Sequence, residues 1–400
     1  MESKILIIYT IYQGLTIIKE GIKHMDKIIL MPDSFKGTMS AQQVCNIMEE
    51  KILEHFKKAE IIKIPIADGG EGSVDCFLEA LGGKKKYVEV CGVFGENMTS
   101  YYGLLSDKKT AVVEMAACAG LPLAGDNLNP LKATTYGVGQ LILAAAKEGA
   151  TEIILGLGGS ATNDGGCGAA AAMGVKFYNS LEKEFVPTGE NLKNICKIDV
   201  SKIDPAIKKV KLTAMCDIDN PMFGENGAAY VFAPQKGASA SEVEYLDRGL
   251  YNLCKVIKKD IKVDVSNLPG GGAAGAMGAG MYAMLNAELK MGIHTVLDVV
   301  DFEKHLKGAD IVFTGEGRLD GQSLRGKVVA GISQRASKKN VPVVAIVGEI
   351  GESANKLYDI GLSAVFSINI AAKDFSVSKH NSKENLAITM DNLMRYTKLI

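Results

Sequence analysis

The chain has 400 residues, of which 47% are hydrophobic and 23% are charged, as in ordinary globular proteins. Its length favours about two domains. The formal net charge of −1 argues against nucleic acid or an anionic membrane surface as a partner, and the lack of a run of about 18 apolar residues predicts no membrane span.

The first 24 residues contain apolar pieces that polar side chains interrupt, and Met25 follows them. A small-residue cleavage site is missing, so a signal peptide is not predicted. We expect Met25 to be the real initiator and residues 1–24 to be an extension outside the fold.

The next stretch predicts a strand over residues 27–31, a turn with the sequence DSFKGT and a helix from residue 41. Ser40 and Gln43 are spaced as a capping box, which places free amides and the positive end of the helix dipole at the turn. Lys36 adds an ammonium group there. A lysine beside a helix amino terminus suits phosphate and indicates nucleotide chemistry; a plain surface turn is the alternative.

The order of strand, glycine-rich turn and helix then recurs, which is typical of parallel α/β architecture. Further strands of this kind are predicted at 61–66, 151–155, 210–215, 309–313, 341–346 and 364–368. Helices are predicted at 41–56, 136–147, 242–259, 296–306, 327–338 and 383–394. Residues 87–115 instead alternate in a way that predicts a mixed or antiparallel patch.

The most regular parallel-type strands lie toward both ends of the chain. The simplest account is one domain built from residues 25–66 plus 295–400, with residues 67–294 inserted as a second α/β domain.

The glycine-rich segment LGLGGSATNDGG follows a predicted strand but lacks the G-K-[ST] ending of a Walker A loop. Backbone amides at Gly158, Gly159 and Ser160 can approach a ligand closely, and Asn163 and Asp164 add polar side chains. Such a loop suits hydroxyl or carboxylate groups. The alternative is that the Ala-Gly spacing only packs a helix on a sheet, which is our interpretation of residues 167–173.

The segment TGEGRLDGQSLRGK concentrates both charge signs in one predicted strand-to-helix turn, with Glu316, Arg318, Asp320, Arg325 and Lys327. Carboxylates suit magnesium, and cations suit a transferred phosphoryl group. A self-neutralising surface loop is the alternative.

Four other acidic residues fall at or just beyond predicted strand ends: Asp68, Glu71, Asp217 and Asp219. Carboxylates there can bind magnesium, accept a proton from an alcohol or cap the following helix. Asp217 and Asp320 have the fewest local reasons to be caps, because neither opens an obvious amphipathic run.

Eight cysteines occur singly, without a C-x-x-C pair, which favours a reducing, cytoplasmic setting. Five histidines have no metal-ligand spacing, so a zinc site and a Ser-His-Asp triad are both disfavoured. Cys118 or Cys167 as a nucleophile stays open, although no histidine is near either in the sequence.

Eight motifs in this order resemble the bacterial glycerate kinase family, from about Met25 to about Ile370: DSFKGTMSA, ADGGEG, NPLKATTYGVGQ, GLGGSATNDGG, CDIDNPMFGENGA, FAPQKGA, PGGGAAGAMGAG and TGEGRLDGQSLRGK. Departures are small, such as Met39 for leucine and Ser323 for threonine.

The resemblance implies ATP-dependent phosphorylation of D-glycerate, with 2-phosphoglycerate favoured over 3-phosphoglycerate as the product, and with ATP and Mg²⁺ as cofactors. It also implies a two-domain α/β fold, in which a flavodoxin-like parallel-sheet domain is split by an inserted α/β domain with a mixed sheet. The active site is expected in the interdomain cleft.

Within that family reading, three sets of residues are assigned as hypotheses. ATP and its phosphates are assigned to Ser34, Lys36, Gly37, Gly315, Glu316 and Lys327. D-glycerate is assigned to Asp68, Gly158, Gly159, Ser160, Asn163, Asp164 and Arg318. Asp217 and Asp320 share the roles of general base and magnesium ligand, in an order that stays open, and Lys36 joins them as a catalytic residue.

Three rival functions stay open. The first is a kinase for another small hydroxy acid. The second is a nucleotide-binding oxidoreductase, although a convincing G-x-G-x-x-G fingerprint with an acid about 20 residues on is missing. The third is a non-catalytic ligand sensor, which would bind without consuming ATP. The oligomeric state cannot be read from the sequence.

Overall fold

The computed structural model describes residues 25–66, 70, 72–321, 323, 327–371 and 374–399. The expected extension over residues 1–24 lies outside the described residues, and so do the candidate residues Asp68, Glu71 and Arg325.

The strands, in chain order, are β1 (Lys27–Pro32), β2 (Glu60–Lys63), β3 (Gly83–Cys91), β4 (Asn97–Leu105), β5 (Thr110–Glu114), β6 (Glu152–Gly156), β7 (Lys176–Tyr178), β8 (Glu184–Phe185), β9 (Lys197–Asp199), β10 (Lys211–Met215), β11 (Glu288–Lys290), β12 (Ile311–Leu319), β13 (Val343–Ile350) and β14 (Ala364–Ser367).

The α-helices are α1 (Ala41–His55), α2 (Ser73–Leu81), α3 (Ala116–Ala119), α4 (Leu121–Ala124), α5 (Tyr136–Lys147), α6 (Cys167–Ala172), α7 (Ala228–Phe232), α8 (Ala240–Asp260), α9 (Ala273–Leu285), α10 (Gly292–Val299), α11 (Phe302–Leu306), α12 (Val328–Ser337), α13 (Phe375–Ser378) and α14 (Ser382–Thr397). Across the described ranges, none of these helices combines the length and the apolar character that a membrane crossing needs.

The chain divides into two compact units. Unit 1 contains the described residues up to 66 and those from 301 onward, and unit 2 contains residues 67–300. The predicted boundary at 294/295 falls inside α10, which belongs to unit 2 in full.

Unit 1 is built on a five-stranded sheet in the order β2-β1-β12-β13-β14, with every neighbouring pair parallel. Counted within the unit, this is the flavodoxin-like order 2-1-3-4-5. The order reverses between β1 and β12. In open α/β sheets, ligands bind beyond the carboxyl ends of the strands at such a switch point.

Successive residues of β1 supply both faces of the unit 1 sheet. Ile28 and Leu30 pack in one apolar cluster with Val44 of α1 and Met390 of α14. Ile29 is also fully buried but lies outside that cluster, as expected for a strand whose side chains alternate between faces. A central strand that is buried on both faces is typical of a parallel sheet.

Unit 2 contains a six-stranded sheet in the order β11-β10-β6-β5-β4-β3. The pairs from β11 to β5 are parallel, and β5, β4 and β3 pair antiparallel. The predicted mixed patch is therefore confirmed. A small antiparallel sheet, β8-β7-β9, was not predicted. Together with unit 1, this confirms the predicted fold class of a flavodoxin-like parallel-sheet domain split by an inserted mixed-sheet α/β domain.

Two predicted elements are wrong in detail. The helix predicted over residues 296–306 is two helices, because Asp301 between α10 and α11 has a φ of 52° and interrupts the helical path. The predicted turn that begins at Thr314 is extended strand as far as Leu319, since β12 continues beyond β1 and pairs there with β13 alone. Glu316 and Arg318 therefore project from a strand instead of a loop.

Candidate functional site

The turn after β1 lies at the switch point of the unit 1 sheet. The Asp33 amide donates to the carbonyl oxygen of Gly315 in β12 at 2.8 Å, which ties the turn to the neighbouring strand. The Thr38 amide donates to the Phe35 carbonyl oxygen at 2.8 Å, and Gly37 between them has a φ of 79°. A positive φ at this third position of a tight turn favours glycine.

The predicted capping box at the start of α1 is confirmed. The Gln43 amide donates to Ser40 Oγ at 3.2 Å, and the Ser40 amide donates to Gln43 Oε1 at 3.1 Å. The helix therefore begins directly after the turn that carries Lys36, as the sequence predicts.

Glu316 is the buried carboxylate of the switch point. Its side chain accepts a hydrogen bond from Ser323 Oγ at 2.5 Å, and the residue is 7% exposed. Burial raises the pKa of the Glu316 carboxyl, and the nearby Asp320 acts in the same direction, whereas the Ser323 hydrogen bond, Lys327 and Lys36 oppose the rise. The structure thus brings together four predicted site residues, Lys36, Glu316, Asp320 and Lys327. We call these four residues and Ser323 the switch-point cluster.

Arg318 forms exposed ion pairs within unit 1. Its Nε lies 3.3 Å from Asp320 Oδ2, and its Nη1 lies 3.8 Å from Glu349 Oε1, with 60% of the side chain exposed. Ion pairs this exposed contribute about 0–1 kcal/mol to stability. The pair with Asp320 nevertheless places a guanidinium beside the switch-point cluster.

In unit 2, residues 157–166 after β6 form a segment that we call the glycine loop. The Leu121 amide donates to the Gly159 carbonyl oxygen at 2.8 Å, and the Ala161 amide donates to the Ala119 carbonyl oxygen at 2.9 Å. The amides of Gly158, Gly159 and Ser160 donate no hydrogen bond to any described residue.

Gly159 has a φ of 75°, in the left-handed region that suits glycine. Successive amides in such a conformation form a concave site for an anion. The predicted ligand-binding residues Gly158, Gly159 and Ser160 are therefore arranged as donors.

Asp164 anchors the glycine loop from within. Its Oδ2 accepts from the amide and the hydroxyl of Thr135, each at 2.8 Å, and its Oδ1 accepts from the Gly166 amide at 3.0 Å. The residue is fully buried, and burial raises the pKa of its carboxyl although these hydrogen bonds oppose the rise. The predicted substrate residue Asp164 thus has a structural role that explains its position without a ligand.

Asn163 and Thr162 differ from Asp164, because their buried polar atoms are unsatisfied. Neither the amide nitrogen nor the amide oxygen of Asn163 has a hydrogen-bond partner among the described residues, and neither does Thr162 Oγ1. Both residues are fully buried. Buried polar groups without partners are rare in native proteins and call for an explanation.

Sequence reasoning missed Lys236, which lies in the motif FAPQKGA and contacts the glycine loop. Its Nζ donates to Ser160 Oγ at 2.8 Å and to the Thr162 carbonyl oxygen at 2.7 Å, and the residue is 2% exposed. Burial lowers the pKa of its ammonium group to about 7, against the opposing effect of Asp164. The motif can be seen in the sequence. Its contact with the glycine loop cannot, because the two segments are about 75 residues apart.

Two further carboxylates, Glu114 and Asp217, lie on the same strand edge as the glycine loop. Glu114 pairs in register with Gly156, and so does Met215, which precedes Asp217 by two residues. Glu114, also missed, is buried and accepts from the amides of Gly72 and Val74 at the start of α2. It therefore fixes one end of the predicted ADGGEG segment. Burial raises the pKa of its carboxyl.

Asp217 follows β10 by two residues, and its Oδ1 accepts from the Gly292 amide at 2.7 Å, at the first residue of α10. Asp217 thus accepts a hydrogen bond at the start of a helix that is remote in sequence, which the local pattern around Asp217 does not reveal. Asp217 and Asp320 belong to different units.

The cysteine alternative is disfavoured. Burial raises the pKa of the Cys118 thiol to about 12 and that of Cys167 well above its usual range. A thiol that stays protonated at neutral pH is a poor nucleophile.

Comparisons with known proteins agree on one family. The model of the glycerate kinase family matches residues 28–398. A glycerate kinase of Bacillus cereus is 42% identical over 93% of this chain and 98% of its own. A glycerate 2-kinase of Escherichia coli is 42% identical over 86% of this chain and 90% of its own.

A crystal structure of a Salmonella typhimurium LT2 protein assigned as glycerate kinase 2 resembles this chain in three dimensions. The TM-score is 0.84 at 39% sequence identity, over 94% of this chain and 99% of the other.

We predict that Glu316→Gln changes the pH dependence of stability. A glutamate in an unfolded chain has a pKa of about 4.3, and burial raises that of Glu316 in the folded state. Between these two values the folded state binds more protons, so the free energy of unfolding falls as pH rises. The variant lacks this loss, and its stability relative to the wild type should increase from about pH 4.5 to pH 8.

Urea unfolding across that range measures the difference. Glu60→Gln, an exposed change in the same unit, is the matched control. A difference between Glu316→Gln and the wild type that stays constant with pH would contradict the assignment of a raised pKa.

Proposed function

The chain belongs to the glycerate kinase family, phosphotransferases with an alcohol group as acceptor, and we propose that it transfers the γ-phosphoryl group of ATP to the 2-hydroxyl of D-glycerate. The relative named glycerate 2-kinase supports the 2-hydroxyl. The observation that supports the acceptor most is the row of unpaired amides at Gly158, Gly159 and Ser160, which suits the carboxylate of a small hydroxy acid.

We assign the phosphates of ATP to the switch-point cluster and the turn after β1. Lys36 and Lys327 are the cations that act on Glu316 there, and α1 begins just beyond the turn with its capping box. Ser34 and Gly37 lie in the turn after β1, and Gly315 of β12 pairs with Pro32, the last residue of β1. An ammonium group beside a helix amino terminus favours phosphate oxygens electrostatically.

We also assign a magnesium ion to the carboxylates of the switch-point cluster. Glu316 and Asp320 are close enough for Asp320 to raise the pKa of Glu316, and hard carboxylate oxygens are the ligands that Mg²⁺ prefers. Glu316 and Asp320 would hold it together with the phosphates. Bound there, Mg²⁺ neutralises charge on the phosphate oxygens.

We assign D-glycerate to the glycine loop. The amides of Gly158, Gly159 and Ser160 would receive the carboxylate, and the unsatisfied amide of Asn163 would meet a hydroxyl. Asp68 and Arg318 remain proposed contacts for the hydroxyl and carboxylate groups. For Asp164 we propose the role of loop anchor, since its oxygens already accept hydrogen bonds within the protein.

The remaining requirement is an acceptor for the alcohol proton, and we assign it to Asp217. This carboxylate follows β10 on the strand edge that carries the glycine loop, and the Gly292 amide fixes the orientation of its Oδ1. The 2-hydroxyl oxygen forms a bond to the γ-phosphorus, the bond from that phosphorus to the bridging oxygen of ADP breaks, and the proton passes to the Asp217 carboxylate. Phosphoryl transfer needs this alignment and charge neutralisation more than covalent chemistry.

The reaction itself is tested with purified protein, ATP, magnesium and D-glycerate, followed by phosphorus NMR. We expect ADP and 2-phosphoglycerate. In the proposed site the glycine loop holds the carboxylate of D-glycerate, and the 2-hydroxyl is on the carbon next to that carboxylate. The appearance of 3-phosphoglycerate would correct the regiochemistry. Failure to release ADP above a glycerate-free control would reject D-glycerate as the substrate.

The base is tested with Asp217→Asn. Asparagine keeps an oxygen for the Gly292 amide but cannot take up the proton, so kcat should fall by about 10²–10⁴-fold with little change in KM for either substrate. Asp219→Asn, an exposed change in the same segment, is the control and should leave kcat unchanged. A kcat near the wild-type value in Asp217→Asn would eliminate this residue as the base.

A further inference from the structure

Lys236 is a buried cation with an incomplete set of hydrogen bonds. An ammonium group carries three N–H donors. Two of them reach Ser160 Oγ and the Thr162 carbonyl oxygen, and the third has no acceptor among the described residues. Because a charged donor that is buried without partners is costly, the position calls for an acceptor that the protein itself does not supply.

The contact with Lys236 also determines the direction of the Ser160 hydroxyl. A charged ammonium group can only donate, so Ser160 Oγ accepts from Lys236 in its charged form. The hydroxyl hydrogen of Ser160 is then available for another acceptor, and it finds none in the described part of the chain. The Ser160 hydroxyl is therefore a donor, in addition to the backbone amides of Gly158, Gly159 and Ser160.

The unsatisfied groups around this lysine point the same way. Nζ of Lys236 donates to the carbonyl oxygen of Thr162, whose own hydroxyl is buried and unpartnered, and the next residue, Asn163, has an amide with no partner in the described ranges. A buried cation, two hydroxyls, an amide side chain and three free amides therefore lie within one short loop and its contact. An oxyanion with at least two oxygens matches this excess of donors.

We propose that Lys236 supplies the positive charge that the acceptor site needs for the carboxylate of its hydroxy-acid substrate and that it sets Ser160 as a donor to that carboxylate. The inference rests on the proposed function, because it takes the glycine loop as the acceptor site. It makes Lys236 a determinant of selectivity for an acid over a neutral alcohol of the same size.

The charge on Lys236 is also sensitive to pH near neutrality. Burial lowers the pKa of its ammonium group to about 7, and Asp164 is the charged group that opposes this effect; other charged groups with an effect on Lys236 are not found in the described residues. Above that pKa the lysine loses its charge in the free protein. Affinity for D-glycerate should therefore weaken as pH rises from about 6.5 to 9, and binding of the anion should favour the charged form.

The test is D-glycerate binding by titration calorimetry to the ATP-free protein, beside binding of a non-hydrolysable ATP analogue. Lys236→Gln keeps a donor but no charge. We expect its Kd for D-glycerate to rise about tenfold or more, its Kd for the ATP analogue to stay the same, and the pH dependence of glycerate affinity to disappear. Lys208→Gln, an exposed lysine change in unit 2, should bind both ligands as the wild type does.

Ser160→Ala keeps the inference testable if Lys236→Gln does not fold, since it removes the hydroxyl donor together with its contact to Lys236 and should weaken D-glycerate binding selectively. Unchanged glycerate affinity in either folded variant, or an equal loss of both ligands, would overturn the proposal and leave Lys236 as part of the scaffold. Failure of the wild type to bind D-glycerate would instead reject the proposed function, and the inference with it.

Discussion

Parallel pairing of strands is the constraint on which both candidate sites depend. In a parallel sheet, every strand ends at the same edge, and the helix that follows begins there with unpaired amides. In unit 1 this edge brings the turn after β1 beside Gly315 of β12, where the strand order reverses. In unit 2 the same rule collects Glu114, the glycine loop and Asp217 at the ends of three adjacent strands.

The two edges differ in chemistry, and this difference supports their separate assignments. The switch-point cluster combines cations with carboxylates, which suits a phosphate chain with a divalent ion. The glycine loop has an excess of donors and a buried lysine, which suits a small anion. The chain belongs to the glycerate kinase family, and under the proposed function ATP is assigned to the first type of site and D-glycerate to the second.

The sequence predicts what depends on neighbours in the chain. The capping box at Ser40, the helix over residues 136–147 and all strands of the two larger sheets except β11 follow from spacing and composition, and the structure has them. What depends on distant pairing was missed. Glu316 was expected in a loop, since only the register with β13 extends the strand past β1. Lys236 contacts a loop some 75 residues earlier, which no local pattern reveals.

The central claim, that each strand edge takes its own substrate, is tested most directly by amide NMR of the isotope-labelled protein with each ligand alone. We expect D-glycerate to shift the amides of Gly158, Gly159 and Ser160 and a non-hydrolysable ATP analogue to shift those of Lys36 and Gly37. The reverse pattern would exchange the two assignments. Shifts from both ligands at one loop, with none at the other, would contradict the account.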